Sequence, residues 1–174
     1  MRAGFEASLP DRLKRSFRVK LQPFIPAHWF AAAASECAGM YVAGYFYGAI
    51  SVAQAYIEAL SRFLAEHHGL RLGKDTVERC RRLHREKVLS DQALNAAVAI
   101  FDGRNDFHHL NKEVPQEYRT LEARALESMN NLHTIESEIF AYSVGDEPGK
   151  VTLMRPEYWA FVDRELVQVN LRHL

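Results

Sequence analysis

The clearest pattern of apolar and polar positions runs from Val42 to His67. Apolar residues recur there mostly at steps of three and four, the spacing of one face of an α-helix; they are Val42, Tyr45, Phe46, Ala49, Ala53, Tyr56, Ile57, Leu60, Phe63 and Leu64. His67-His68-Gly69 predicts the end of this helix, because glycine is favoured at helix C-termini and histidine suits the negative end of the helix dipole. A long amphipathic helix is therefore predicted over 42–67.

Four further helices are predicted on either side of this one. Ala27 to about Ala38 is alanine-rich, and Gly39 either ends that helix or is absorbed into it. Lys74-Asp75-Thr76 opens a shorter helix, and Ser90-Asp91 supplies an N-cap for another. Pro115, suited to a first helical turn, opens a long last helix. The apolar side of that helix consists of Leu121, Ala125, Leu126, Met129, Leu132, Ile135, Ile139 and Phe140.

The tail of the chain has a different pattern. Gly145-Asp146-Glu147-Pro148-Gly149 predicts a turn, and two β-prone runs follow, Val151–Met154 and 166–171. They either pair as a hairpin, or the second run forms a short helix. The predicted fold is all-α: an antiparallel bundle of four to five helices at 27–144. A lead-in (1–26) precedes it, and a small β-prone appendage (145–174) packs on the same domain.

Composition and charge narrow the class of protein. The 174 residues, 48% hydrophobic and 25% charged, fit one folded domain with a single core. The net charge of zero excludes a uniformly basic nucleic-acid binder. Residues 1–20 and 71–87 are nevertheless each net +4. Either patch could meet a phosphate backbone, although two solvated faces are the simpler interpretation.

Cysteine usage and hydropathy favour a cytoplasmic protein without a membrane span. Cys37 and Cys80 are isolated thiols, and the N-terminus has no secretory signal, so we expect both cysteines to be reduced. The stretch 37–57 has no charged residue and is long enough to cross a bilayer. Its content of Ala, Gly, Ser and Tyr, and its acidic flanks Glu36 and Glu58, instead predict a buried core helix.

The candidate chemistry is concentrated in RNDFHHLN, residues 104–111. On a helix, Asn105 and His109 share a face because they are four residues apart. Arg104 flanks that face and also shares a face with His108. The segment therefore presents a guanidinium, an amide and one or two imidazoles close together.

These groups suit RNA cleavage. Guanidinium binds phosphate in a fixed bidentate geometry, and imidazole transfers protons near neutral pH. When the 2′-hydroxyl attacks the adjacent phosphorus, a cation stabilises the charge that develops on the phosphoryl oxygens. No metal is needed, because the nucleophile belongs to the substrate. The reaction uses both a base and an acid, which two copies of the motif in a symmetric dimer would supply.

The motif resembles the signature of the HEPN superfamily (higher eukaryotes and prokaryotes nucleotide-binding domains). In that family, four to six residues separate an arginine from a histidine, and the first of them is polar, as in Arg104, Asn105 and His109. The segment YFYGAISVAQAYIEALSRFL also resembles the family's early long helix. The resemblance covers about residues 28–143.

The resemblance implies a metal-independent endoribonuclease that acts as a homodimer, with an RNA substrate and no cofactor or metal. Such proteins often serve as toxins with a partner antitoxin, or in defence against phage. Arg104 would stabilise the phosphate, His109 would be the acid or base, and Asn105 would position the site. His108 is an accessory candidate. Glu58 is another, because the family's long helix packs near the motif and its carboxylate could pair with Arg104 or His109.

Plainer interpretations remain open at each position. Arg104 could pair on the surface with Asp102 or Asp106, His109 could bond a backbone carbonyl at a helix end, and Asn105 could satisfy a buried backbone group. A HEPN-like helical module that binds a partner protein or a nucleotide without catalysis is the alternative function. No P-loop, HExxH or paired-cysteine motif is present.

Overall fold

The computed structural model describes residues 2–25, 28–71, 73–102, 117–145, 151–159, 161–162, 165–166 and 170–171. Within them the chain is mostly helical, as predicted. The helices are α1 (Arg2–Ser16), α2 (His28–Ala43), α3 (Phe46–His67), α4 (Thr76–Arg85), α5 (Asp91–Phe101) and α6 (Tyr118–Ile139). An all-α bundle with a small appendage is therefore confirmed.

The core forms where the apolar faces of α2, α3, α5 and α6 meet, and α4 packs between α3 and α5. Its largest fully buried side chains are Tyr41, Phe140, Ile25, Ile50, Ile57, Leu60, Leu64, Leu83, Ile100, Met129, Leu132 and Ile135. The predicted buried side of the last helix is confirmed except at Leu126, which is only partly buried.

The predicted helix over 42–67 is wrong at its start. Gly39 is absorbed into α2, which runs on to Ala43, and α3 begins only at Phe46. Gly44 has φ +90°, in the left-handed region that glycine adopts without a steric cost. The Tyr45 N–H then donates to the Met40 carbonyl at 2.8 Å. The chain therefore turns between two helices that the apolar pattern alone had joined.

The predicted starts of α4 and α5 and the predicted end of α3 are confirmed, and each depends on a local hydrogen bond. Asp75 accepts a hydrogen bond from the Glu78 N–H at 2.7 Å, and Ser90 accepts one from the Ala93 N–H at 3.1 Å. Gly69 has φ +61° and donates to the Glu66 carbonyl after the last turn of α3. These are the capping arrangements that side-chain oxygens and glycine provide at helix ends.

Three short antiparallel strand pairs lie outside the bundle helices. β2 (Tyr142–Val144) pairs with β3 (Val151–Leu153), and β4 (Phe161–Val162) pairs with β5 (Glu165–Leu166). β6 (Asn170–Leu171) pairs with β1 (Phe24–Ile25). In the described residues, the two β-prone runs of the tail thus pair with other segments and not with each other. The predicted boundaries at 26 and 144 remain a prediction.

The uncharged stretch at 37–57 is divided between α2 and α3. Among the described helices, none is both long and apolar enough to cross a membrane.

Candidate functional site

The predicted catalytic residues Arg104, Asn105 and His109, with the accessory His108, lie outside the described residues. The structure does describe both ends of the segment that contains them. α5 ends at Phe101 and is followed by Asp102, while α6 begins at Tyr118 after Glu117. The residues at both of these ends contact side chains of neighbouring helices.

The entry to the motif is anchored by two side chains from neighbouring helices. Arg124 of α6 donates through Nη2 to the Asp102 carbonyl at 2.6 Å and to the Ala99 carbonyl at 3.3 Å. Gln54 of α3 is buried and donates to the Ile100 carbonyl at 3.0 Å. These carbonyls belong to the last turn of α5, where intrahelical partners are lacking. Hydrogen bonds thus connect Asp102, the last described residue before the motif, to α6 and connect Ile100, at the end of α5, to α3.

The start of α6, the first helix described after the motif, is anchored by Arg15, a residue of α1. Its Nη2 donates to the Tyr118 hydroxyl at 2.7 Å, and its Nη1 donates to the Val42 carbonyl at 3.1 Å. Its Nε lies 3.5 Å from a carboxylate oxygen of Glu122. The guanidinium carbon is also 5.2 Å from the centre of the Phe46 ring, within cation–π range. One side chain therefore joins α1, the α2–α3 junction and the first turn of α6.

Glu58, the accessory candidate on α3, forms an ion pair with Arg62 on the same helix. Its side chain is 27% exposed. It lies one helical turn, about 6 Å, from Gln54, whose amide contacts the end of α5. The predicted pairing of Glu58 with Arg104 or His109 involves residues outside the described part.

Burial removes other groups from consideration as nucleophiles. Cys37 and Cys80 are both buried and form no disulfide with each other. Desolvation raises the pKa of the Cys80 thiol to about 11, so this thiol stays protonated at neutral pH and is a poor nucleophile. Burial likewise raises the pKa of the Tyr158 hydroxyl, which lies 2.7 Å from Nε2 of His68.

The histidines at the end of α3 form an aromatic cluster. The rings of His67 and His68 are 5.4 Å apart, and each also contacts Tyr158. In the part of the chain that the structure describes, no group of three or more His, Cys, Asp or Glu side chains could hold a metal ion.

Two buried arginines were not predicted from the sequence. Arg15 and Arg79 are only 6% and 4% exposed, whereas residues 1–20 and 71–87 were interpreted as solvated basic stretches. Charged side chains are seldom buried, and neither residue stands in a local pattern that would indicate burial.

Comparison of the chain with protein-family models, with curated proteins and with solved structures found no match.

Proposed function

We propose that this chain is a metal-independent endoribonuclease of the HEPN type, which cleaves RNA through a composite site in a homodimer. The observation that carries the proposal is the spacing of Arg104, Asn105 and His109 in the segment between two bundle helices. An arginine for the phosphate and a histidine for proton transfer are the groups that attack by a 2′-hydroxyl requires.

The anchoring of α5 supports the proposal. Catalytic groups act best when rigid elements hold them close to the productive geometry. Arg104 follows Asp102 by two residues, and the Asp102 carbonyl accepts a hydrogen bond from Arg124. The buried amide of Gln54 holds the carbonyl of Ile100. The last residues described before the motif, Ile100 and Asp102 among them, are thus held in place by side chains of the bundle.

In this mechanism the guanidinium of Arg104 binds the scissile phosphate and stabilises the charge that develops on its oxygens. His109 of one protomer removes the proton from the 2′-hydroxyl, and its symmetry mate protonates the leaving 5′-oxygen. Asn105 orients these groups, and His108 and Glu58 are accessory candidates. The products are a 2′,3′-cyclic phosphate and a free 5′-hydroxyl. By the same resemblance we propose a role as a toxin or in phage defence, with an antitoxin or other partner protein.

The test is cleavage of a panel of single-stranded and hairpin RNAs in excess EDTA. We expect the wild-type protein to leave 2′,3′-cyclic phosphate ends, and Arg104→Ala and His109→Ala each to lower the rate at least about 100-fold. His67→Ala is the matched control, because His67 is an exposed histidine at the end of α3. This variant should cleave at the wild-type rate.

Absence of cleavage by the folded wild-type protein across the panel would overturn the proposal. Cleavage that survives both motif substitutions would overturn it as well, since the activity would then come from elsewhere. The first of these outcomes would favour the non-catalytic binding module.

A further inference from the structure

A cluster of arginines lines a small pocket on α4. The pocket has a volume of about 260 Å³ and is formed by Arg71 and Gly73, before the helix, and by Glu78, Arg79, Arg82 and Arg85. The four helical residues are spaced so that they share one face of α4. This surface is called the arginine pocket below.

Arg79 is the unusual member of the arginine pocket. It is 4% exposed, yet among the described residues its Nη atoms make only long contacts, 3.5 Å to the Gly73 carbonyl and 3.4 Å to the Thr76 hydroxyl. Its Nε is buried and has no hydrogen-bond partner among the described residues. A buried guanidinium without a counter-charge is costly, because the energy of its hydration is not replaced. Among the described residues, the contacts therefore leave part of this guanidinium without a partner.

The carboxylate of the pocket is already engaged. Glu78 accepts a hydrogen bond from Arg85 at 2.9 Å and lies 3.7 Å from Arg81. Within the described parts of the chain, neither Arg71 nor Arg82 forms an ion pair, and Arg79 forms none either. With four arginines and one paired glutamate, the pocket has a large net positive charge.

We propose that the arginine pocket binds a phosphate group. Guanidinium groups match phosphate oxygens in geometry and charge better than any other side chain. The pocket is smaller than the roughly 300–1,000 Å³ of pockets for drug-sized ligands, so it takes one phosphate or diphosphate and leaves the rest of a larger ligand outside. The phosphate belongs either to a free phosphate compound or to an RNA backbone. The site does not depend on the proposed nuclease, because it contains none of the motif residues.

Titration calorimetry with inorganic pyrophosphate, and fluorescence anisotropy with a 2′-O-methyl oligoribonucleotide, test the proposal. The oligonucleotide lacks the attacking 2′-hydroxyl, so it reports binding whether or not the protein cleaves RNA. Arg82→Gln is the principal variant, because Arg82 is only half-buried and its loss should leave the fold intact. Arg119→Gln, at an exposed position on α6, removes the same charge outside the pocket.

We expect Arg82→Gln to weaken binding of the preferred probe about tenfold, and Arg119→Gln to leave it unchanged. Arg79→Gln should weaken binding at least as much, provided its circular dichroism and melting curve show a folded protein. Binding of pyrophosphate alone would identify a free phosphate compound, and binding of the oligonucleotide alone would identify the RNA backbone. Failure of the folded wild-type protein to bind either probe would overturn the proposal, as would equal affinities of wild type and Arg82→Gln.

Discussion

Lys87 adopts a backbone conformation that usually belongs to glycine. Its φ is 61°, and it is the only non-glycine residue with positive φ among the described residues. It stands directly after the capping residue of α4, where its N–H donates to the His84 carbonyl at 2.8 Å and the next N–H, of Val88, donates to the Leu83 carbonyl at 2.9 Å. This hydrogen-bond pair is the Schellman motif, in which glycine is favoured.

Lys87→Gly is therefore expected to stabilise the protein. The left-handed conformation costs an L-residue about 1–2 kcal/mol, part of which is offset by the greater entropy of unfolded glycine. The free energy of unfolding in urea should rise by about 0.5–1 kcal/mol. Lys87→Ala removes the same charge but keeps the β-carbon, so it should change stability by less than about 0.5 kcal/mol. Equal gains in both variants would assign the effect to charge instead of backbone strain.

At the scale of elements, the junction between α2 and α3 is the point where tertiary packing overrides the apolar pattern. A β-carbon built on Gly44 would lie 2.8 Å from the Tyr118 hydroxyl and 3.3 Å from Nη1 of Arg15. The absence of a side chain at Gly44 therefore allows both the turn and the close approach of α6. At Gly39, about one turn earlier in α2, a β-carbon would have no described atom from another part of the structure within 4 Å.

This contrast predicts opposite effects for the same substitution. Gly44→Ala should lower the free energy of unfolding by about 1–3 kcal/mol, through its positive φ and the clash with Tyr118. Gly39→Ala should raise it by up to about 1 kcal/mol, since alanine is the better helix former. Urea unfolding of both variants measures the two changes in the free energy of unfolding. A stabilising Gly44→Ala would show that α2 and α3 can join as one helix, as the apolar pattern alone predicts.

The helices were predictable to the extent that their signals are local. Asp75 and Ser90 cap helices through N–H groups three residues away, and such bonds can be inferred from sequence. The turn at Gly44 depends on Tyr118 and Arg15, which are distant in the chain. The same holds for the pairing of β1 with β6. In the candidate site, the sequence supplies the motif itself, whereas the anchoring by Gln54 and Arg124 emerges only from the packing of α3, α5 and α6.

At the scale of the whole molecule, the proposed mechanism requires two copies of the chain. Sedimentation equilibrium of the active protein should give twice the 19.9 kDa of one chain. The His109→Ala variant should give the same mass, because it removes a proton-transfer group and leaves the bundle intact. A protein that cleaves RNA as a monomer would contradict the composite site, even if the motif residues proved essential.

The pairing of β1 with β6 also constrains the order in which parts of the chain can fold. The two strands lie near opposite ends of the chain, with Phe24 opposite Leu171. Ribosomes add about 5–20 residues per second, so the second strand is made roughly 7 to 30 s after the first. During that interval the helices between them can assemble, while β1 offers an open hydrogen-bonding edge that includes Ile25, which is fully buried in the folded protein. Closure of this strand pair therefore follows the synthesis of all the helices that lie between the two strands.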